Sequence, residues 1–133
     1  MTDDEKIAVV QEILDSWSAQ DWARVEALFA PDGVLQSVMS EPVVGRAAFA
    51  ERLTVLARGL ERIKLHIKAI GIIGGRVWVE RVDDFDTNGH HGEVPVVGIL
   101  SVENGMVTQW LEYYDRATLL RGMGVVPSQD FAH

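Results

Sequence analysis

There is no cysteine in these 133 residues, so neither a disulfide framework nor thiol chemistry is open to the chain, and a reducing compartment suits it. No apolar run reaches the roughly 18 residues that a membrane-spanning helix needs, and Met-Thr-Asp-Asp-Glu-Lys lacks a basic segment leading into an apolar one. A cytoplasmic location is the expectation. Positive charge is scarce as well: 12 Lys and Arg stand against 20 Asp and Glu, a net charge of −8 with no basic cluster. A nucleic-acid duplex or an anionic membrane would be repelled rather than recruited. Also missing are a Gly-x-Ser-x-Gly elbow, a His-Glu-x-x-His pair and a phosphate-cradling glycine loop. What remains is 47% hydrophobic against 24% charged, the composition of a globular chain, and its length suits one domain over residues 1–133.

The first helix opens on Thr2 with Glu5 three residues on, a capping box, and carries Ile7, Val10, Leu14 and Trp17 as one apolar stripe. Asp21 caps a shorter helix with Trp22, Val25, Leu28 and Phe29, which Pro31-Asp32-Gly33 is expected to end. Val34 to Met39 reads as a first strand. Phe49, Leu53, Leu56 and Leu60 mark a third helix from about Arg46, with Gly59 near its end. From Arg62 the period changes to two, with Ile63, Leu65, Ile67 and Ala69 opposite Lys64, His66 and Lys68. Gly74-Gly75 turns into a strand from Val77 to Phe85. A polar loop, 86–92, then leads to a strand 94–103, and Asn104-Gly105 is a hairpin signal into a last strand, 106–115. Helices first and a strand meander after them imply an α+β domain with helices on one face of a curved antiparallel sheet, able to enclose a deep pocket.

One strand breaks the apolar pattern. Val77, Val79, Arg81, Asp83 and Phe85 share a face, so two charges fall on a side that should be dry. An unpaired buried charge costs several kcal/mol, so the pair is either mutually satisfied for chemistry or placed at a wet rim. On the last strand Val107, Gln109, Leu111, Tyr113 and Asp115 share one face, and Trp110, Glu112 and Tyr114 the other. If the faces bearing Asp83 and Asp115 converge, two carboxyls flank one guanidinium in an apolar cavity, and one should keep its proton while the other stays charged. Alternatively, Asp115 caps the turn that follows it, Arg116 to Leu119.

Glu80-Arg81-Val82-Asp83, the run Val97-Gly98-Ile99-Leu100-Ser101-Val102 and the end Trp110-Leu111-Glu112-Tyr113-Tyr114-Asp115 resemble the limonene-1,2-epoxide hydrolase family, as do Phe29-Ala30-Pro31-Asp32 and Gly45-Arg46 upstream. The resemblance implies the cone-shaped nuclear-transport-factor-2-like, ketosteroid-isomerase-like fold. It further implies a catalytic triad of Arg81, Asp83 and Asp115, with Asp115 the base that deprotonates water, Asp83 the acid that protonates the epoxide oxygen and Arg81 the bridge between them. The family holds its water with a Tyr and an Asn on the first strand; Leu35 and Ser37 occupy those positions here. Together with Tyr113, Leu111 and Val79 they form the expected substrate and water site. Hydrolysis of a strained epoxide by activated water needs only a base and a proton donor, and no cofactor.

Two other functional classes stay open: an isomerase or cyclase of the same fold, and a non-catalytic binder of an apolar ligand. Asp84-Phe85-Asp86-Thr87-Asn88-Gly89 imitates the start of a calcium loop, but position twelve is Pro95, and His90-His91 reads as solvated loop; no metal site is expected. His66 reads as exposed beside Lys64 and Lys68. Trp78, Val82, Trp110 and Tyr114 are expected to form an outward apolar patch that pairs two copies into a homodimer.

Overall fold

The computed structural model describes residues 1–125. Helix α1 (Asp3–Ser18) starts with the expected capping box, Thr2 accepting from the Glu5 backbone and Glu5 accepting in return. Its buried Val10, Ile13 and Leu14 drive into the core. Asp21 caps α2 (Trp22–Ala27). Strand β1 (Phe29–Ser37) then begins earlier than the Pro-Asp-Gly signal suggests, because Pro31 to Gly33 sit in an irregularity of the strand rather than in a helix stop. A two-residue strand β2 (Val43–Val44) and helix α3 (Arg46–Ala57) follow, with Phe49 and Leu53 buried on the latter. Phe49 stacks on Phe29 at 3.9 Å between centroids, which ties α3 to β1.

Four long strands complete the sheet: β3 (Leu60–Ile73), β4 (Arg76–Thr87), β5 (His90–Glu103) and β6 (Met106–Tyr114). Their order is β2-β1-β6-β5-β4-β3, antiparallel throughout except where β1 runs parallel to β6. The sheet is curved and unclosed, and α1 lies on its concave face, where Val10 and Leu14 join Val77, Val79, Leu100 and Trp110 in one core. The fold is therefore the α+β cone expected. A short helix, α4 (Arg116–Gly122), packs against β5.

One correction concerns a turn. Residues 86–92 are not a loop: Asn88-Gly89 is a tight hairpin turn with φ of 49° and 79°, so β4 runs on to Thr87 and His90-His91 begin β5. It is the same Asn-Gly chemistry that makes the second hairpin at Asn104-Gly105, where φ is 52° and 77°.

Two further corrections concern phase, and they decide which side chains meet. In β3 the pairing with β4 slips between Ile67 and Ala69, so Ala69 is exposed and Ile70 and Ile72 take over the core face. In β6 the pairing with β5 slips between Ser101 and Val102: Ser101 faces Gln109 while Val102 faces Val107, leaving Thr108 as the extra residue. One inserted residue turns every later side chain to the opposite face. Val107 and Trp110 are both buried for that reason, three positions apart.

Candidate active site

Beyond the Thr108 bulge, Trp110, Glu112 and Tyr114 point into the concave side, and Leu111 and Tyr113 point away from it. Arg81 on β4 is 3% exposed, and its guanidinium makes two bidentate pairs. Toward Asp83 the bonds are 2.8 Å from Nε and 3.1 Å from Nη2. Toward Glu112 they are 3.0 Å from Nη1 and a second, shorter bond from Nη2 to Oε1. Fork-to-fork geometry of this kind is the strongest arrangement available to an arginine, and a buried guanidinium needs it, since breaking such a pair costs about 3–5 kcal/mol.

The expected triad is therefore corrected at one member. Asp115 is exposed and caps α4: its Oδ2 accepts from the Thr118 hydroxyl at 2.6 Å and from the Thr118 backbone N–H at 3.3 Å. It does not reach Arg81, and Glu112 stands where Asp115 was expected. The physical reason is the bulge, which the period-two pattern of the sequence does not announce. The same inversion removes two predicted wall residues, Leu111 and Tyr113, to the outer face. It also moves Trp110 and Tyr114 off the outward patch, of which Trp78 and Val82 remain. Val79 is fully buried in the core beneath the trio and does not line the cavity. Leu35 and Ser37 do line it.

A cavity of about 540 Å³ opens above Arg81, Asp83 and Glu112, walled mainly by apolar side chains such as Leu65, Phe85, Val94 and Trp110. Trp17 reaches it from α1, edge-on to Trp110 at 5.5 Å. Ser37 is the neighbour of Glu112 across the β1–β6 pairing, and its hydroxyl lies 2.7 Å from that of Tyr114. A pair of hydroxyls thus flanks the Glu112 side of the guanidinium, whereas Asp83 has Leu65 and Val94 as its strand neighbours. Gly98 of β5 sits between Val79 and Glu112, and its lack of a side chain leaves room for the Arg81–Glu112 pair.

Electrostatics separate the ionisable groups. Burial alone would strip charge from Arg81, but the attraction of Glu112 and Asp83 outweighs it and holds the pKa above the ordinary arginine value. Burial pushes the Glu112 carboxyl above its usual range, even against the pull of Arg81. Asp115 shifts the other way, held low by the Thr118 hydroxyl. A carboxyl raised by burial in a cleft is the signature of a group poised for proton transfer, and one depressed by a helix cap is not.

On the convex face, Arg62 bridges Asp84 at 2.7 Å and Asp86 at 3.0 Å, and His91 Nδ1 meets Asp86 at 2.7 Å. Asp84, His91 and Glu93 bring ligand-type atoms within 4.8 Å of one another, and Arg62 already occupies one oxygen of Asp84. His66, exposed as expected, joins it through Asp84.

The chain is similar to the epoxide hydrolase EphG of Mycobacterium tuberculosis, with 27% identity over 116 residues that cover 86% of this chain and 76% of the relative. Among solved structures, a limonene-epoxide-hydrolase-like epoxide hydrolase from M. tuberculosis superposes with a TM-score of 0.81 at 25% identity, covering 91% of this chain and 90% of the other. A provisionally named polyketide cyclase from Xanthomonas campestris shares the fold, with a TM-score of 0.80 at 23% identity over 90% and 97% of the two chains. No helix among the described residues is long and apolar enough to cross a membrane. Residues 10–110 match the SnoaL-like domain, about three quarters of the sequence, and the chain belongs to that family.

Proposed function

We propose that the protein is an epoxide hydrolase that adds water to a small lipophilic epoxide in one step, giving a vicinal diol, with Glu112 as the base, Asp83 as the acid and Arg81 between them. The observation that carries the reading is one buried guanidinium bonded bidentately to two carboxyl groups under an apolar cavity. Similarity to an epoxide hydrolase supports the same chemistry. Two carboxyls and one arginine are neutral when they hold a single proton, so an acid and a base coexist without a net buried charge. Position assigns the roles. Glu112 adjoins the Ser37 and Tyr114 hydroxyls, which can hold a water beside it. Asp83 faces the apolar wall where an epoxide would lie.

In the step, the water oxygen bonds to an epoxide carbon while its proton passes to Glu112. The carbon–oxygen bond of the ring breaks, and that oxygen takes the proton of Asp83. Exchange with solvent then returns one proton to Asp83 and removes one from Glu112. The chemistry calls for no cofactor.

Leu35 favours a second reading. It puts an apolar side chain where the resemblance implies a water-holding tyrosine, and several similar folds carry polyketide cyclase names. The same acid and base would then move protons within a substrate to isomerise or cyclise it. Turnover in isotopically labelled water separates the two, because hydrolysis alone places one solvent oxygen in the product. Glu112→Gln and Asp83→Asn should each cost at least about 10²-fold in rate, the usual scale of general acid or base catalysis. Asp115→Asn should leave turnover intact. If Glu112→Gln hydrolyses epoxides at the parental rate, the assignment is wrong.

A further inference from the structure

We propose that the substrate carries an anionic head, a carboxylate, which Arg52, Arg58 and Arg116 hold at the cavity mouth while the apolar body reaches the trio; this rests on reading the cavity as a substrate site. The chain as a whole repels anions, with a net charge of −8. Yet apart from the buried trio, the charged residues lining the cavity are Arg52, Arg58 and Arg116 against Glu41 alone. They come from two elements: Arg52 lies on α3, Arg58 is its C-cap, and Arg116 is the first residue of α4.

All three are exposed, and among the described residues none pairs with a carboxylate; Arg116 makes one contact, 3.4 Å from Nη1 to the Ser40 hydroxyl. Away from the cavity both situations occur: Arg121, exposed on α4, contacts only the Thr118 hydroxyl among the described residues, while two others are paired. Arg24 pairs with Glu12, and Arg62 with Asp84 and Asp86. Unpaired guanidinium forks around one opening make a local positive potential on an acidic protein, and a planar carboxylate matches the fork. Below the mouth the walls are apolar, including Leu56, Leu60 and Ile63, so the ligand that fits is amphipathic. The volume suits a molecule of drug-like size.

The test compares a terminal epoxide of undecanoic acid with its methyl ester. The acid should show about a tenfold higher kcat/KM at low ionic strength, and added salt should erode the advantage. Independently of turnover, undecanoate should bind about tenfold more tightly than methyl undecanoate, read through the fluorescence of Trp17 and Trp110, both of which line the cavity. Both ratios should fall toward one in the Arg52→Gln/Arg58→Gln/Arg116→Gln protein and persist in Arg24→Gln, whose arginine sits elsewhere. A parental protein that binds the ester as well as the acid overturns the proposal, as does a preference that survives in the triple variant. If neither epoxide is hydrolysed while undecanoate still binds in an arginine-dependent way, the hydrolase reading fails and the anionic-head inference stands.

Discussion

Gly98→Ala tests the architecture of the trio without touching a charged group. The φ of Gly98 lies outside the left-handed region, so its backbone does not require glycine, and alanine in a strand interior would ordinarily stabilise by about 0.5–1 kcal/mol. Space decides otherwise. A Cβ there would lie 2.9 Å from Arg81 Nη1, 2.9 Å from Glu112 Oε2 and 3.2 Å from Val79 Cγ1. None of the three yields cheaply: Val79 is fully buried, and the other two groups hold each other through a bidentate pair. The methyl must push the pair off its geometry by several tenths of an ångström. Overpacking of this kind costs about 1–3 kcal/mol, which outweighs the gain from a stiffer unfolded chain. The net expectation is a loss of about 1–2 kcal/mol in urea unfolding. Activity should fall further, because misplacing reacting groups by about 1 Å costs on the order of 10²-fold. Unfolding curves and initial rates on the same preparation check both numbers. A Gly98→Ala protein of parental or higher stability and full activity would refute the claim that the trio rests on a missing side chain.

The remaining predictions concern protons and assembly. If Glu112 is the base, kcat/KM should rise with pH through a value above the ordinary carboxylate range, since the ionised form is the active one; a rate that instead falls through that value would exchange the roles of Glu112 and Asp83. Folding stability should move oppositely: with the native pKa raised, the native state holds a proton that the unfolded chain has released, so stability declines as pH rises from the ordinary glutamate value to the raised one, and Glu112→Gln should flatten that slope. Asp115, whose pKa is lowered, adds stability above the ordinary aspartate value that is lost as pH falls through its native one, and Asp115→Asn should remove this term while turnover persists. On the convex face, Trp78, Val82, Leu111 and Tyr113 are expected to pair two copies of the chain; sedimentation giving a monomer at micromolar concentration would remove that expectation.

Local chemistry was legible wherever it was complete within a few residues. The Thr2–Glu5 capping box, the Asp21 cap and the Asn104-Gly105 turn each lie in a single short stretch, and each forms as its residues dictate. The order of helices and strands followed from periodicity, because a change from 3.6 to 2 is a property of neighbouring residues. Arg81 and Asp83 also stood out from sequence, two charges on a face otherwise apolar. Asn88-Gly89 carried the same turn signal as Asn104-Gly105 and was masked by the polar residues around it.

What the chain alone could not settle is which carboxyl answers Arg81. Asp115 and Glu112 lie three residues apart, both beside aromatic residues, and alternation counted from Val107 favours Asp115. Tertiary structure reverses the count at Thr108, where the pairing of β5 with β6 slips by one residue. The bulge exists because strands 5 and 6 must keep both Val102 and Val107 in the core while also burying Trp110, a demand set by the packing of the whole sheet against α1. Sequence supplied the charges, and a slip of one residue in the sheet chose among them, since a phase in a strand is fixed by its neighbours across the ladder and not by its neighbours along the chain.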